Sequence, residues 1–235
     1  MMKQAKTLAA LLYRSGPLVM VGFVADKLLQ RLTSARLLVV SLRGPDVLEG
    51  LHAELPPGFT AEVRKAAEMQ QLARDFPDVL GADSLMSAER NGDECVVILD
   101  GHRVVSFQWV SSGLTWAFDD IWIGFGPRYL YGYNSYTAPS HRGRRLNHNG
   151  VVIAARTLAL PRGKGLAGYV QASNVASLLA HSRAARLYTG IVLVWPYGKG
   201  RLRYFASRPC RAAGLRLVRK PAEALRDRGQ GFRSG

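Results

Sequence analysis

Residues 139–150, PSHRGRRLNHNG, place Arg142, Gly143, Arg144 and Arg145 in a row between a strand pattern and a helical one. The chemistry open to such a run is anion binding. The first amides of a helix have no intrahelical acceptor, and the helix dipole favours negative charge at that end. Gly143 permits a turn in which successive amides converge, and three guanidinium groups can add charge-assisted bonds to phosphate oxygens. A solvated basic turn is the bland reading of the same residues.

Several elements must position this loop. RYLYGYNSYTA before it alternates as a strand, with Tyr129, Tyr131 and Tyr133 on one face; VVIAARTLAL after it continues a helix from about Asn147 to Leu160. Upstream, residues 35–42 look like a strand, residues 46–55 like a short amphipathic helix, and TAEVRKAAEMQQLARDF (60–76) like a longer one. CVVILD and RVVSFQWVSS, joined by Gly101 and His102, predict a hairpin, followed by a loop rich in Gly, Trp and Asp. Downstream come a strand (LAGYVQA), a helix opening at Ser173 and Asn174 and running to about Arg186, and a hairpin over GIVLVW and RLRYFAS. The order β-α-α-β-β-β-α-β-α-β-β implies an α/β (mixed α+β) domain, a mixed sheet with helices on its faces.

Charge narrows the partners. Of 235 residues, 32 are Lys or Arg and 17 are Asp or Glu, a formal net charge of +15. Residues 1–120 carry 12 basic and 15 acidic side chains, whereas residues 121–222 carry 17 basic and no acidic one. An arginine-rich composition explains a high Arg/Lys ratio but not the missing acids, so the stretch implies an anionic partner. Nucleic acid, phospholipid, a phosphorylated cofactor and an acidic carrier protein all meet that requirement. Aromatics are not interleaved with Arg in a nucleic-acid-reading motif, which argues against the first. Cys95 and Cys210 form neither a CxxC pair nor a Cys/His cluster, so no disulfide framework or zinc site is expected, and a reducing compartment is.

Residues 1–33 read as a basic segment with an apolar helical stripe. It is too short in its apolar run to span a bilayer, and Asp26 and Lys27 stand where a signal cleavage site would need small residues. It can lie on an anionic membrane surface through residues 1–30 or pack on its own domain. The boundaries expected are 1–33 for this segment, 34–220 for the main domain and 221–235 for a polar tail. A cytoplasmic protein, peripheral on the cytoplasmic face if the segment binds lipid, follows.

YNSYTAPSHRGRRLN, then a helix, a strand and VQASNVASLLAHSR, resembles the core of the GNAT superfamily of acyl-CoA-dependent N-acyltransferases. The resemblance extends from about Val96 to Ser207, and the element order agrees with the family's topology. It implies a central, mostly antiparallel mixed sheet flanked by helices, here with an extra N-terminal amphipathic helix. It also implies acetyl-CoA or another acyl-CoA as co-substrate, with no metal. The family's Arg/Gln-x-x-Gly-x-Gly/Ala loop holds the CoA pyrophosphate. Carried over, Arg142 takes the first position, Arg145 stands where the first Gly belongs and Asn147 where the second small residue belongs, so residues 142–147 (Arg142, Gly143, Arg144, Arg145, Leu146, Asn147) form the expected loop. Asn134, Ser135, Tyr136 and Thr137 lie on the strand whose main chain orients the acyl carbonyl and pantetheine, and Asn174 and Ser177 on the helix flanking the pantetheine arm.

Acyl transfer to an amine needs a base for the amine, stabilisation of the carbonyl oxygen and a proton for the thiolate. The family's leaving-group Tyr, seven residues after the Asn, falls here on His181; Tyr188 follows seven later, and steps of seven drift only about 20° on a helix. No carboxylate from 121 to 222 can be the base, which leaves His, Tyr through water, or an earlier acid such as Asp119 or Asp120. The acceptor is a small-molecule or lipid-linked amine or hydroxyl. The bulky Arg145 and Asn147 favour a bulkier acyl-CoA, or an acidic acyl carrier protein serving an N-acyl synthase; a basic nucleic-acid-binding module on the same fold is the third reading.

Overall fold

The computed structural model describes residues 35–70, 82–174, 189–197 and 201–219, together with residues 21, 24–29, 31 and 177–178. In chain order the elements are β1 (Arg36–Arg43), α1 (Pro45–Glu49), β2 (Phe59–Lys65), α2 (Ala82–Asn91), β3 (Glu94–Asp100), β4 (Arg103–Ser111), β5 (Thr115–Phe118), β6 (Ile121–Gly124), β7 (Tyr129–Thr137), α3 (Leu146–Ala154), β8 (Gly165–Gln171), β9 (Gly190–Tyr197), β10 (Arg201–Ala206), α4 (Arg208–Ala212) and β11 (Arg216–Arg219). The fold is mixed α+β with mostly antiparallel pairing. Two compact units divide the chain, residues 1–42 with 169–212 and residues 43–168 with 213–235.

In the larger unit the strand order is β8-β7-β4-β3-β2, with β8 contributing its first residues. β2, β3, β4 and β7 pair antiparallel in sequence, while β7 and β8 run parallel. β3 and β4 are buried on both faces because apolar residues occupy both phases of the pleat. Cys95, Val97, Phe107 and Trp109 pack on one side with Met69 and Leu85. Val96, Val110 and Leu130 pack on the other against Val151, Ala154 and Leu158. α3 thus covers the sheet from behind, and its helix continues through a π turn at Ala155–Ala159. A small sheet, β11-β6-β5, completes the unit.

The hairpin at Gly101, the strand at 129–137, the helix after the basic loop and the hairpin at 190–206 stand where the sequence places them. The stretch 60–76 does not. Its described part is strand β2 followed by a 3-10 turn at Ala66–Met69, and residues 71–80 lie outside the described residues. Phe59 and Ala61 alternate onto the sheet's apolar side, and seven registered pairs with β3 override a composition that favours helix. The Gly/Trp/Asp loop is likewise two short strands, β5 and β6, and the helix expected over 46–55 stops at Glu49.

In the smaller unit β10, β9 and β1 pair antiparallel in that order. Residues 24–29 are helical, as expected for that part of the N-terminal segment. Asp26 is fully buried there, its Oδ1 accepting the Leu37 N–H at 2.7 Å and its Oδ2 the Ser173 N–H at 3.0 Å. The acid that breaks the signal-peptide pattern is therefore a structural tie. Val24 and Leu28 are exposed. Residues 1–20 and the tail after Arg219 lie outside the described residues, and no described helix is long and apolar enough to cross a membrane.

β8 starts at Gly165, whose N–H donates to the Arg128 carbonyl at 2.9 Å. A Cβ there would meet the Arg43 carbonyl oxygen and the ring of Tyr129, and a backbone atom cannot swing away. Gly165→Ala is expected to cost about 1–3 kcal/mol of stability, as overpacking does. Urea denaturation checks this, and a parent-like midpoint would mean that β7 and β8 part easily.

Candidate functional site

The pairing of β7 with β4 is interrupted once. Phe107 faces Tyr136 and Trp109 faces Tyr133, so Asn134 and Ser135 together oppose Gln108. Two residues against one is a β-bulge, which turns main-chain groups away from the ladder. Asn134 adopts the left-handed conformation (φ 44°), a region that Asn tolerates better than most side chains. The bulge is held from below by Gln108, which is buried and donates through Nε2 to the Tyr133 carbonyl (3.1 Å) and the Trp109 carbonyl (3.0 Å). Further along, the Ser106 hydroxyl donates to the Tyr136 carbonyl at 2.7 Å and lies 2.9 Å from the Thr137 hydroxyl. Asn134 and Ser135 are exposed, whereas Tyr136 and Thr137 are half-buried.

β7 runs straight into the basic loop. The Ala138 N–H donates to the Val105 carbonyl (2.8 Å), Pro139–His141 form a 3-10 turn, and Gly143 (φ 85°) reverses the chain. Arg145 is the N-cap of α3 in the left-handed conformation (φ 59°), and α3 has neither a side-chain cap nor an acidic residue in its first turn. Leu146 anchors the turn in a cluster with Ile98, Val105 and Ala138. Arg142, Arg144 and Arg145 are exposed, and Asn147 is half-buried. Arg142 Nε donates to the Thr137 carbonyl at 3.3 Å, and the Arg144 guanidinium lies 5.7 Å over the Phe59 ring. His141 ties the loop to the β3–β4 hairpin through Asp100 Oδ2, 3.1 Å from its Nε2, and packs edge-on against Phe59. The arrangement can hold an anion against the start of α3 with three cations around it.

The bulge and the loop are thus brought together in one unit. Asn174 and Ser177 belong to the other, where Asn174 caps a helical turn by accepting the Ser177 N–H at 3.2 Å. His181 and Tyr188 lie outside the described residues. Asp120 forms an ion pair with Arg219 at the edge of the small sheet, and Asp119 is left-handed (φ 49°) in the β5–β6 turn. Among the described residues no group of three or more His, Cys, Asp or Glu is placed to hold a metal.

Sequence reasoning misses one pair. Asp93, just before β3, is 2% exposed, and its Oδ2 accepts the Tyr133 hydroxyl proton at 2.7 Å. Tyr133, one of the three tyrosines expected on one strand face, stacks between Trp109 and Tyr131 while its hydroxyl reaches this carboxylate. Ser111 and Asn91 lie beside the carboxyl. Ser111 Oγ accepts the Gly113 N–H and Asn91 Nδ2 donates to the Leu114 carbonyl, which leaves the serine O–H and a second asparagine N–H beside the carboxyl, although Asp93 Oδ1 makes no hydrogen bond of good geometry. Burial pushes the Asp93 carboxyl above the usual carboxylate range, against the lowering effect of its neighbours. Burial and then the adjacent Asp93 push the Tyr133 phenol far up, so it stays protonated.

Two outcomes follow from these conformations and charges. Arg145→Gly removes the left-handed penalty of a side chain and is expected to raise stability by about 1 kcal/mol, with Arg145→Ala giving no such gain, as thermal unfolding checks. A carboxyl whose folded value is raised binds its proton more tightly in the folded chain, so its contribution falls as pH rises above the ordinary value of about 4. Asp93→Asn is therefore expected to be more stable than the parent at pH 7, by about 1 kcal/mol, with the gap closing towards pH 4 in urea titrations.

No protein-family model matches the chain, and no curated protein is similar to it. Solved structures are. A Drosophila protein shares 14% identity over 78% of this chain and 55% of its own, with a TM-score of 0.47. A tandem GNAT protein from the clavulanic acid biosynthesis pathway shares 13% identity over 74% of this chain and 54% of its own, with a TM-score of 0.46. A GCN5-related N-acetyltransferase from Kribbella flavida shares 20% identity over 72% of this chain and 61% of its own, with a TM-score of 0.45. This chain spans less than two thirds of the length of each of them. Two of these three are GNAT proteins by their description.

Proposed function

We propose that the protein is an acyltransferase that moves an acetyl or other acyl group from acyl-CoA to an amine, or to a hydroxyl, by direct transfer. The observation that carries this reading is the join between the bulge and the loop. An exposed bulge at Asn134 and Ser135 leads within ten residues to a left-handed, acid-free helix start flanked by Arg142, Arg144 and Arg145. Main-chain groups at the bulge suit the carbonyl and amides of an acyl-pantetheine, and the amides and guanidinium groups of residues 142–147 suit its phosphates. Arg145 adopts a left-handed conformation, the region that glycine enters without a side-chain penalty. The proton for the departing thiolate falls to His181 or Tyr188 on the sequence resemblance.

A second reading has the acyl group delivered by an acidic carrier protein. The side chains of Arg145, exposed, and Asn147, half-buried, favour it, since they stand where the family has small residues.

Calorimetry with CoA, acetyl-CoA and a long-chain acyl-CoA at two salt concentrations tests both. Micromolar binding is expected, weakened several-fold by Arg142→Ala and by Gly143→Val, which cannot adopt φ 85° without strain. Parent-like affinity in both variants would remove the loop from donor binding. No binding of any CoA species, with salt-sensitive binding of an acylated carrier protein instead, would favour the second reading.

A further inference from the structure

A carboxylate that must be desolvated and is left with one oxygen unbonded works against the fold. Asp93 is such a group, and the rest of its surroundings are built to keep it there. The Asp93 N–H donates to the Ala88 carbonyl at 2.8 Å, fixing the residue between α2 and β3. Its Oδ2 holds the hydroxyl of Tyr133, the residue that immediately precedes the bulge. Ser111, beside the carboxyl, also lines a cavity of about 250 Å3, together with Gly92 and Glu94, the two chain neighbours of Asp93. Arg162 and Lys164 also line that cavity, and Arg162 pairs with Glu94 at 2.7 Å. Asp93 is thus a buried acid linked by one hydrogen bond to the strand position where the acyl group is proposed to lie.

We propose that Tyr133 and Asp93 are the proton-accepting pair of the transfer, with Tyr133 touching the acceptor amine and Asp93 receiving the proton behind it. This inference rests on the acyltransferase reading. The acceptor ammonium gives one N–H proton to Tyr133 Oη as the tyrosine's own proton passes to Asp93 Oδ2. The neutral amine then attacks the thioester carbonyl, the C–N bond forms, and the C–S bond breaks with its electron pair on sulfur. The second nitrogen proton ends on the thiol, and Asp93 later returns its proton to solvent through Tyr133. No free tyrosinate is needed, which suits a phenol held far above its ordinary pKa. The raised carboxyl in turn is a better base than an exposed aspartate. Among the described residues, the titratable group bearing on the pair is Cys95 on β3, whose thiol burial pushes up and on which Arg64 of β2 bears in turn; Asn91 from α2 and Ser111 from β4 are polar neighbours.

The test follows thiol release from acetyl-CoA against pH, with a panel of small primary amines, for the parent, Asp93→Asn, Asp93→Glu and Tyr133→Phe, beside calorimetry of CoA binding. Asp93→Asn and Tyr133→Phe are expected to bind CoA as the parent does and to turn over at least tenfold more slowly. The acidic limb of the parent's kcat/KM profile is expected to vanish in Asp93→Asn and to return, shifted, in Asp93→Glu. A merely structural carboxylate would not move that limb. Parent-like turnover and an unchanged limb in Asp93→Asn would overturn the pair and leave the donor reading standing, as would donor binding by a parent inert towards every amine. Absence of CoA binding by the parent would overturn the acyl-CoA reading on which the pair rests, and the pair with it.

Discussion

The buried amide of Gln108 is the interaction on which the site depends. A β-bulge in a central strand leaves main-chain groups without ladder partners, and such groups must be satisfied if they stay inside. Gln108 does this by reaching across from β4 and bonding the Tyr133 carbonyl as well as the carbonyl of its own neighbour, Trp109. Gly132 allows that approach, since a Cβ there would stand 3.3 Å from Gln108 Nε2. With the inner side of the bulge held in this way, Asn134 and Ser135 can turn outward while the stacked rings of Tyr131, Tyr133 and Trp109 keep the strand in register.

Backbone conformation, more than side-chain chemistry, then shapes the path from bulge to helix. Two of the three non-glycine residues with positive φ among the described residues are Asn134 and Arg145, one at each end of that path. Each costs on the order of 1 kcal/mol, and such strain persists only where the surroundings determine it. Around Arg145 they do. Leu146 is buried in a cluster of four apolar residues, and His141 is fastened to Asp100 on the neighbouring hairpin. The helix start is therefore presented to solvent by packing that lies beneath it, and the three arginines are left outside to set its charge.

Much of this was legible in the residues. The hairpin around Gly101, the tyrosine strand, the basic loop and the following helix announce themselves through strict alternation, a tight turn and a change of period, and all of them stand. What misled was the stretch 60–76, where Ala, Glu, Lys and Met favour helix but a free edge of β3 was available to pair with. The short strands β5 and β6 escaped notice because β6 is completed by β11, some ninety residues later, and no local pattern carries that information. The bulge was equally silent. Nothing in YNSYT marks which residue is extra, since that depends on the register with β4. The Asp93–Tyr133 bond was hidden for the same reason, because the two residues are forty apart and only the β3-β4-β7 order makes them neighbours.

The charge distribution makes that neighbourhood consequential. From residue 121 to 222 there is no Asp or Glu, so the strand, loop and helix proposed to hold an anionic donor contain no carboxylate of their own. An acid placed there would lower the positive field that attracts phosphate, and at the helix start it would compete with the ligand for the same amides. Yet an amine that arrives protonated must lose a proton to something. Antiparallel pairing resolves the conflict, because β3 and β4 come from the acid-rich half and lie beside β7 from the basic half. Asp93 sits at the entry to β3, buried on the face away from α3, and meets β7 through the tyrosine hydroxyl. The Asp93 carboxylate is thereby kept on that face, and in the proposed pair a proton reaches it along one hydrogen bond.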